Sequence, residues 1–267
     1  MALFAHISHS EVVIITPDEN QYAYNIAVSL QSKLKDHAKI TSEAGNATPE
    51  DIIIALGSAA YHKIGDVKNT VITIFIPYEG QRSSLESASN RYYIYSEPSP
   101  NQIHSFISKN FTSSTVGYLY TEKDKSVASE LAEQFKLSEN TFFSLKGDKD
   151  VFSSIRELIR YDIDIMLLSK NSDLYTPKNI RTIIEALTRK RIPVIATTKS
   201  LVKSGATIAI SSDQSEIIRM TAEIVNLLDD NNLDKEKISS HTKNINIEIN
   251  QSMVSLYRFS IDTGDKK

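Results

Sequence analysis

The feature that most constrains this chain is an alternation. Short apolar runs rich in β-branched residues are each followed by a segment of helical period, and the whole series occurs twice. The first run, Val12-Val13-Ile14-Ile15-Thr16, is apolar at nearly every position rather than at every second one. A strand of that kind is covered on both faces, as in a parallel sheet layered by helices. Similar runs stand at residues 39–41, 51–56, 71–76 and 92–95. Helices are predicted over residues 17–35, after Gly57, and over 100–109; in the first, Tyr22, Ile26, Ser29, Leu30 and Leu34 recur at steps of three and four. A second array follows, with strands predicted at 116–120, 142–145, 163–168, 193–197 and 206–210. Its helices are expected at 126–135, 151–160, 177–188 and 214–228, with Pro177 in a first helical turn. Residues 229–243 read as a polar linker and 264–267 as a frayed tail. Between them Ile245, Ile247 and Ile249 alternate strictly, as in a half-buried edge strand.

Two such arrays predict an α/β protein of two doubly wound parallel-sheet lobes. With 267 residues, 40% of them hydrophobic, the chain is long enough for two modest cores. A net charge of −3 with scattered basic residues gives no electrostatic footprint for nucleic acid or an anionic membrane. The one basic run, Arg189-Lys190-Arg191, falls at a predicted helix end, where cations complement the helix dipole. The absence of cysteine excludes disulfides, thiolate metal sites and cysteine nucleophiles. No apolar run approaches the roughly 18–20 residues of a membrane span. The opening ten residues lack the basic n-region and the length of a secretory signal. The chain is therefore expected to be cytoplasmic or to be close to a mature form after removal of a signal.

Catalytic signatures are missing. The sequence has no G-x-G-x-x-G after the first strand, no P-loop, no G-x-S-x-G elbow and no H-E-x-x-H. Its six histidines are dispersed, and Asp51, Asp162 and Asp164 stand at strand starts, where carboxylates usually close loops. No cofactor, metal site or catalytic residue is expected. Polar clusters instead follow predicted strands: Gly57-Ser58-Ala59, Pro77-Tyr78-Glu79, Thr121-Glu122-Lys123, Ser169-Lys170-Asn171 and Thr197-Thr198-Lys199. Ligands of open α/β sheets bind at the carboxyl ends of the strands. Hydroxyls and helix N-terminal amides there suit an anionic group such as a carboxylate. The same residues are also ordinary helix caps.

Several stretches resemble the ABC-transporter substrate-binding family of the tryptophan/tyrosine type. They are Val116-Gly-Tyr-Leu-Tyr120, Asp164-Ile-Met-Leu-Leu-Ser-Lys-Asn171, Ile192-Pro-Val-Ile-Ala196 through Lys203-Ser-Gly-Ala206, and Ile54-Ala-Leu-Gly-Ser-Ala-Ala60. The most specific block is the one from Ile192 to Ala206, and the likeness covers roughly residues 51–257. The resemblance implies a type I periplasmic-binding-protein fold with a three-crossover hinge. One lobe would comprise residues 1–112 plus 211–235 and the other 113–210 plus 236–267, with crossovers near 110–114, 208–213 and 232–242. It further implies a non-enzymatic, extracytoplasmic (periplasmic) solute-binding protein of an ABC-type uptake system that closes two lobes on a small molecule, an amino acid or a similar solute. Its expected partners are that solute and a membrane permease or sensor, with no nucleic acid, and the chain is expected to be a monomer. Site residues expected on this reading are Gly57, Ser58, Ala59, Tyr78, Tyr120, Thr121, Glu122, Ser169, Asn171, Thr197 and Thr198. Tyr78 or Tyr120 would stack on the solute, and Tyr120 serves equally well as a core ring. The sequence departs from the family in its short first array and in Pro77-Tyr78-Glu79-Gly80 after the fourth strand. A ligand-sensing accessory protein, a cytoplasmic α/β enzyme, and the effector domain of a lactose-repressor-type regulator are the competing readings.

Overall fold

A computed structural model of the chain describes residues 11–263 except 19, 35–37, 44, 46, 80–89, 137, 148–149, 172 and 230–240. His6, His9, Gly80, the expected tail, and most of the expected linker and last crossover lie outside the described residues. In chain order the elements are β1 (Val12–Ile15), α1 (Gln21–Gln31), β2 (Ala38–Thr41), β3 (Ile52–Leu56), α2 (Gly57–Ile64), β4 (Thr70–Ile76) and β5 (Arg91–Tyr95). There follow α3 (Pro100–Asn110), β6 (Thr115–Tyr120), α4 (Lys125–Phe135), β7 (Thr141–Lys146), α5 (Val151–Ile159) and β8 (Ile165–Leu168). The series ends with α6 (Ile180–Arg189), β9 (Val194–Ala196), α7 (Ser200–Lys203), β10 (Ile208–Ser212), α8 (Gln214–Asp229), β11 (Ile245–Ile249) and α9 (Gln251–Tyr257).

The chain divides into two compact units: Met1–Ile76 with Ser83–Ser96 and Gln214–Thr242, and Pro77–Arg82 with Glu97–Asp213 and Lys243–Lys267. In the first unit a five-stranded sheet runs β2-β1-β3-β4-β5, parallel throughout. Successive strand residues point to opposite faces. Ile14, Ile54 and Ile72 therefore meet Ile26 and Leu30 of α1 and Ile217 and Val225 of α8. Val13, Ile15, Ile53 and Val71 face the other way, onto Ala60 and Ile64 of α2. Burial on both faces is the physical reason that β1 is apolar without a break.

In the second unit a six-stranded sheet runs β11-β10-β9-β8-β6-β7. β11 alone is antiparallel, pairing with β10. One face packs Met166, Leu168 and Ala196 against Ile155, Leu158, Ile183 and Leu187. The other packs Val116, Tyr118, Leu167 and Ile195 against α3 and α4 through Ile103, Phe106, Val127 and Leu131.

The structure corrects several expectations. Helix α1 begins only at Gln21, where the Asn20 side chain accepts the Ala23 amide at 3.0 Å. Its buried stripe is Ala23, Ile26, Ala27 and Leu30, and Tyr22 is 63% exposed. Pro177 precedes α6 rather than opening it; Asn179 accepts the Thr176 amide and donates to the Leu174 carbonyl, holding a turn ahead of the helix. Helix α9 was not expected, because seven residues are too few to show a stripe; Asn250 caps it through the Met253 amide.

The unit boundaries also shift. Residues 97–112 join the second unit rather than the first, since α3 buries Ile103, Phe106 and Ile107 among Val116, Tyr118 and Val127. Residues 211–213 likewise stay with the second unit, while 241–242 go to the first. Apart from the excursion that begins at Pro77, the chain passes between units at 96/97, 213/214 and 242/243. The excursion has local causes: the Tyr78 amide donates to Glu97, the Tyr78 hydroxyl donates to Glu130 at 2.7 Å, and the Glu79 carbonyl accepts from Ser126 at 2.8 Å.

Candidate functional site

A parallel sheet opens a crevice where strands with oppositely directed crossovers lie side by side. In the second unit that point is between β6 and β8, whose carboxyl ends deliver Thr121 and the run Ser169-Lys170-Asn171. The corresponding place in the first unit lies between β1 and β3. Gly57-Ser58-Ala59 follow β3 there and form the first turn of α2. Gly57 has φ +79, a backbone state that side chains rarely tolerate, so the entry into α2 depends on glycine. Ser58 is partly exposed and Ala59 exposed.

Two buried carboxylates organise the edge in the second unit. Asp124 is 6% exposed and sits at the head of α4. Its Oδ1 accepts the Thr121 amide at 2.6 Å and the Thr121 hydroxyl at 2.8 Å. Its Oδ2 accepts Asn171 Nδ2 at 2.9 Å and the Tyr118 hydroxyl at 3.2 Å. Burial, with the Asp124 charge beside it, holds the Tyr118 hydroxyl well above the usual phenol range, so that it remains a donor. Asn171 also donates to Thr121 Oγ1 at 3.2 Å and accepts the amides of Asp173 and Leu174.

Glu97, 5% exposed, is the second. Its Oε2 accepts the Tyr78 amide at 3.0 Å, and its Oε1 accepts the Lys170 amide at 2.9 Å and the Thr197 hydroxyl. Its backbone carbonyl accepts Ser212 Oγ at 3.0 Å. Burial pushes the Glu97 carboxyl above the usual range; the three hydrogen bonds and the Lys170 charge oppose this without cancelling it. An acid raised in this way favours folding most below its unfolded-state value, and that contribution is lost as pH rises through the raised value. Relative to Glu97→Gln, wild-type stability in urea denaturation should therefore fall as pH rises from about 4 through the neutral range. A difference that does not change over that window would show that Glu97 does not titrate differently in the fold.

Together these groups wall a pocket of about 90 Å³, lined by Tyr78, Glu79, Lys123, Ser169 and Asp173 among others. Its carboxylates are Glu79, Glu97, Asp124 and Asp173, against the ammonium groups of Lys123 and Lys170. Lys123 is held by Asp173 at 2.7 Å. The balance is negative. The donors expected to hold an anion, Thr121, Asn171 and Thr197, are directed onto the protein's own carboxylates instead. The structure thus brings Tyr78, Thr121, Ser169, Asn171 and Thr197 together, with Ser169 beside the Tyr118 hydroxyl. Tyr120 is half-buried against the core cluster of α3 and α4. Glu122 pairs with Lys146 on the surface at 2.7 Å, and Thr198 Oγ1 lies 3.3 Å from Ser200 Oγ.

Neither organising carboxylate is among the residues expected from the sequence. Asp124 was legible in principle, since Thr121-x-x-Asp124 has the spacing of a capping box and forms one here. Glu97 shows no such pattern; it stands between a buried strand end and the Ser99-Pro100 start of α3. The strand-start aspartates act as loop closers: Asp51 accepts the amides of Glu11 and Thr48, and Asp164 accepts that of Thr115. No group of metal-ligating side chains occurs among the described residues.

Two doubly wound sheets, with the chain passing between their units at three places besides the excursion, define a type I periplasmic-binding-protein fold. The family model "ABC transporter substrate binding protein" matches residues 103–258, and the chain belongs to that family. It is thus a member of a substrate-binding family whose members are typically not catalysts. Among solved structures it is similar to an ABC domain from Streptococcus pneumoniae in complex with L-Trp, at 12% identity and TM-score 0.64, covering 96% of this chain and 97% of that one. It is equally similar to the ligand-free, open form of a substrate binding protein with adhesive properties from Clostridium difficile, at 12% identity, TM-score 0.64 and the same coverage. A conserved domain protein from Vibrio cholerae follows at 13% identity and TM-score 0.60, covering 96% of each chain. At these identities the likeness is one of fold. No curated protein matches the sequence.

Proposed function

We propose that this protein is the extracytoplasmic solute-binding component of an ABC-type uptake system, a monomer that delivers a small molecule to a membrane permease and catalyses nothing. The observation that carries the reading is the polar pocket at the β6/β8 switch point in a chain of this family. Complete small-molecule sites usually enclose roughly 300–1,000 Å³. The pocket of about 90 Å³ therefore takes one polar end of the solute rather than all of it. Its negative balance favours a protonated amine at that end, in place of the anionic group suggested by the sequence.

Tyr78, Thr121, Ser169, Asn171, Thr197 and Thr198 are the proposed contributors in the second unit, with Tyr120 and Glu122 at its margin. Gly57, Ser58 and Ala59 are proposed for the first. Capture is coupled to closure of the two lobes, which a transporter can distinguish from the open form. An amino acid is the favoured solute class, and an aromatic one agrees with the L-Trp held by the Streptococcus protein.

A thermal-shift screen against amino acids, amines, sugars and nucleosides tests this reading. A solute at a hundred times its dissociation constant should stabilise the protein by about 2.7 kcal/mol. Stabilisation confined to sugars or to anions without an amine would remove the amino-acid assignment. No stabilisation by any of them would remove solute capture itself.

A further inference from the structure

We propose that Glu97 is the positioning residue of the pocket in the second unit: a clasp that holds the pocket's separate loops in one arrangement. The inference rests on the reading of that pocket as a solute site. Its ground is connectivity. One carboxylate binds the amide of Tyr78 after β4, the amide of Lys170 after β8 and the hydroxyl of Thr197 after β9. The carbonyl of the same residue binds Ser212 at the end of β10. Tyr78 and Lys170 both line the pocket, on segments that share no strand. A buried acid is a poor choice for stability, because the ionised form is penalised out of water. An apolar residue would fill the same place without that penalty but could not accept from several loops at once.

The clasp has a signature that simple filling of space lacks. Glu97 presents two acceptor oxygens, while glutamine presents one acceptor and one donor. In Glu97→Gln the new NH2 must face either the Tyr78 amide or the Lys170 amide, both of which are donors. At least one of those amides therefore loses its acceptor, although size and shape are kept. In Glu97→Ala both lose it.

The experiment is isotope-labelled amide NMR of the whole chain, wild type and both variants, alone and titrated with L-tryptophan as the probe. Unchanged near-ultraviolet circular dichroism shows that a variant remains folded, and Glu97→Gln serves if the alanine variant does not fold. Displaced, faster-exchanging signals for Tyr78 or Lys170 in Glu97→Gln support the clasp. Signals of both residues matching the wild type in that variant overturn it. If L-tryptophan shifts the amides of Thr121, Ser169 and Asn171 in the wild type, Glu97→Gln should weaken its binding by at least about tenfold, and equal affinity overturns the positioning role. If L-tryptophan shifts nothing in the wild type, the aromatic amino-acid reading fails, and the Tyr78 and Lys170 signals decide the clasp on their own.

Discussion

Replacing Asp124 with alanine should destabilise the second unit by about 3–5 kcal/mol, read as a lowered urea midpoint at neutral pH. The reason is the number of donors that depend on it. The Thr121 amide and hydroxyl, Asn171 Nδ2 and the Tyr118 hydroxyl all end on this carboxylate. A buried donor left without an acceptor costs about 1–3 kcal/mol, and water entering the truncated space would recover part of the total. Removing the charge also removes its own burial penalty, which offsets some of the loss. Four stranded donors outweigh that relief. Asp124→Asn keeps one acceptor oxygen and should lose less, about 1–3 kcal/mol. A loss below about 1 kcal/mol in the alanine variant would mean that the turn at residues 121–124 holds by its backbone alone.

Gly117→Val should be comparably damaging, at about 3 kcal/mol, for a steric reason. Gly117 lies mid-strand in β6, paired with Phe143 and Met166. A Cβ there would stand 2.7 Å from Ile163 Cδ1 and 3.1 Å from both Ile163 Cγ2 and Leu158 Cδ2. Alanine asks that the end of Ile163 swing aside and that Ile163 Cγ2 and Leu158 Cδ2 give by a smaller amount. It also gains about 0.5–1 kcal/mol by lowering the entropy that glycine brings to the unfolded chain. Gly117→Ala should therefore cost no more than about 2 kcal/mol. Valine adds two methyl groups in the same tight space, where Leu158 and Ile163 are both buried. Ile163→Val removes the nearest methyl. Combined with Gly117→Ala, it should give a loss smaller than the sum of the single losses by about 0.5–1.5 kcal/mol. Strict additivity in urea denaturation would show that the contact does not limit this position.

Much of this architecture can be read from residue order alone, because burial on two faces leaves a mark that single-residue propensity does not. Val12 to Ile15 and Ile52 to Leu56 are buried without exception and are apolar without exception. Ile245, Ile247 and Ile249 alternate with polar residues, and β11 is a half-buried edge strand. The polar clusters at strand ends were visible for the same reason: a parallel strand must end where its apolar run ends. Helix α1 is shorter at both ends than its apolar period suggests: Asn20 caps it after the Pro17 turn, and Leu34 is buried beyond its last residue. The first boundary was misplaced because nothing in the composition of α3 tells which sheet Ile103 and Phe106 will cover.

What the residue order determines about this protein is local: strands, helices, their alternation and the ends at which polar side chains collect. Each of these depends on neighbours within about one or two turns of chain. The tertiary structure alone decided the partners of those side chains. Glu97 reaches Thr197 across a sequence separation of 100 residues, and Asp124 reaches Asn171 across 47. A buried carboxylate needs several donors to offset its loss of water, and only the packed sheet brings donors from separate strand ends to one point. That requirement turned a row of apparent helix caps into a pocket whose hydroxyls and amides serve the protein's own acids.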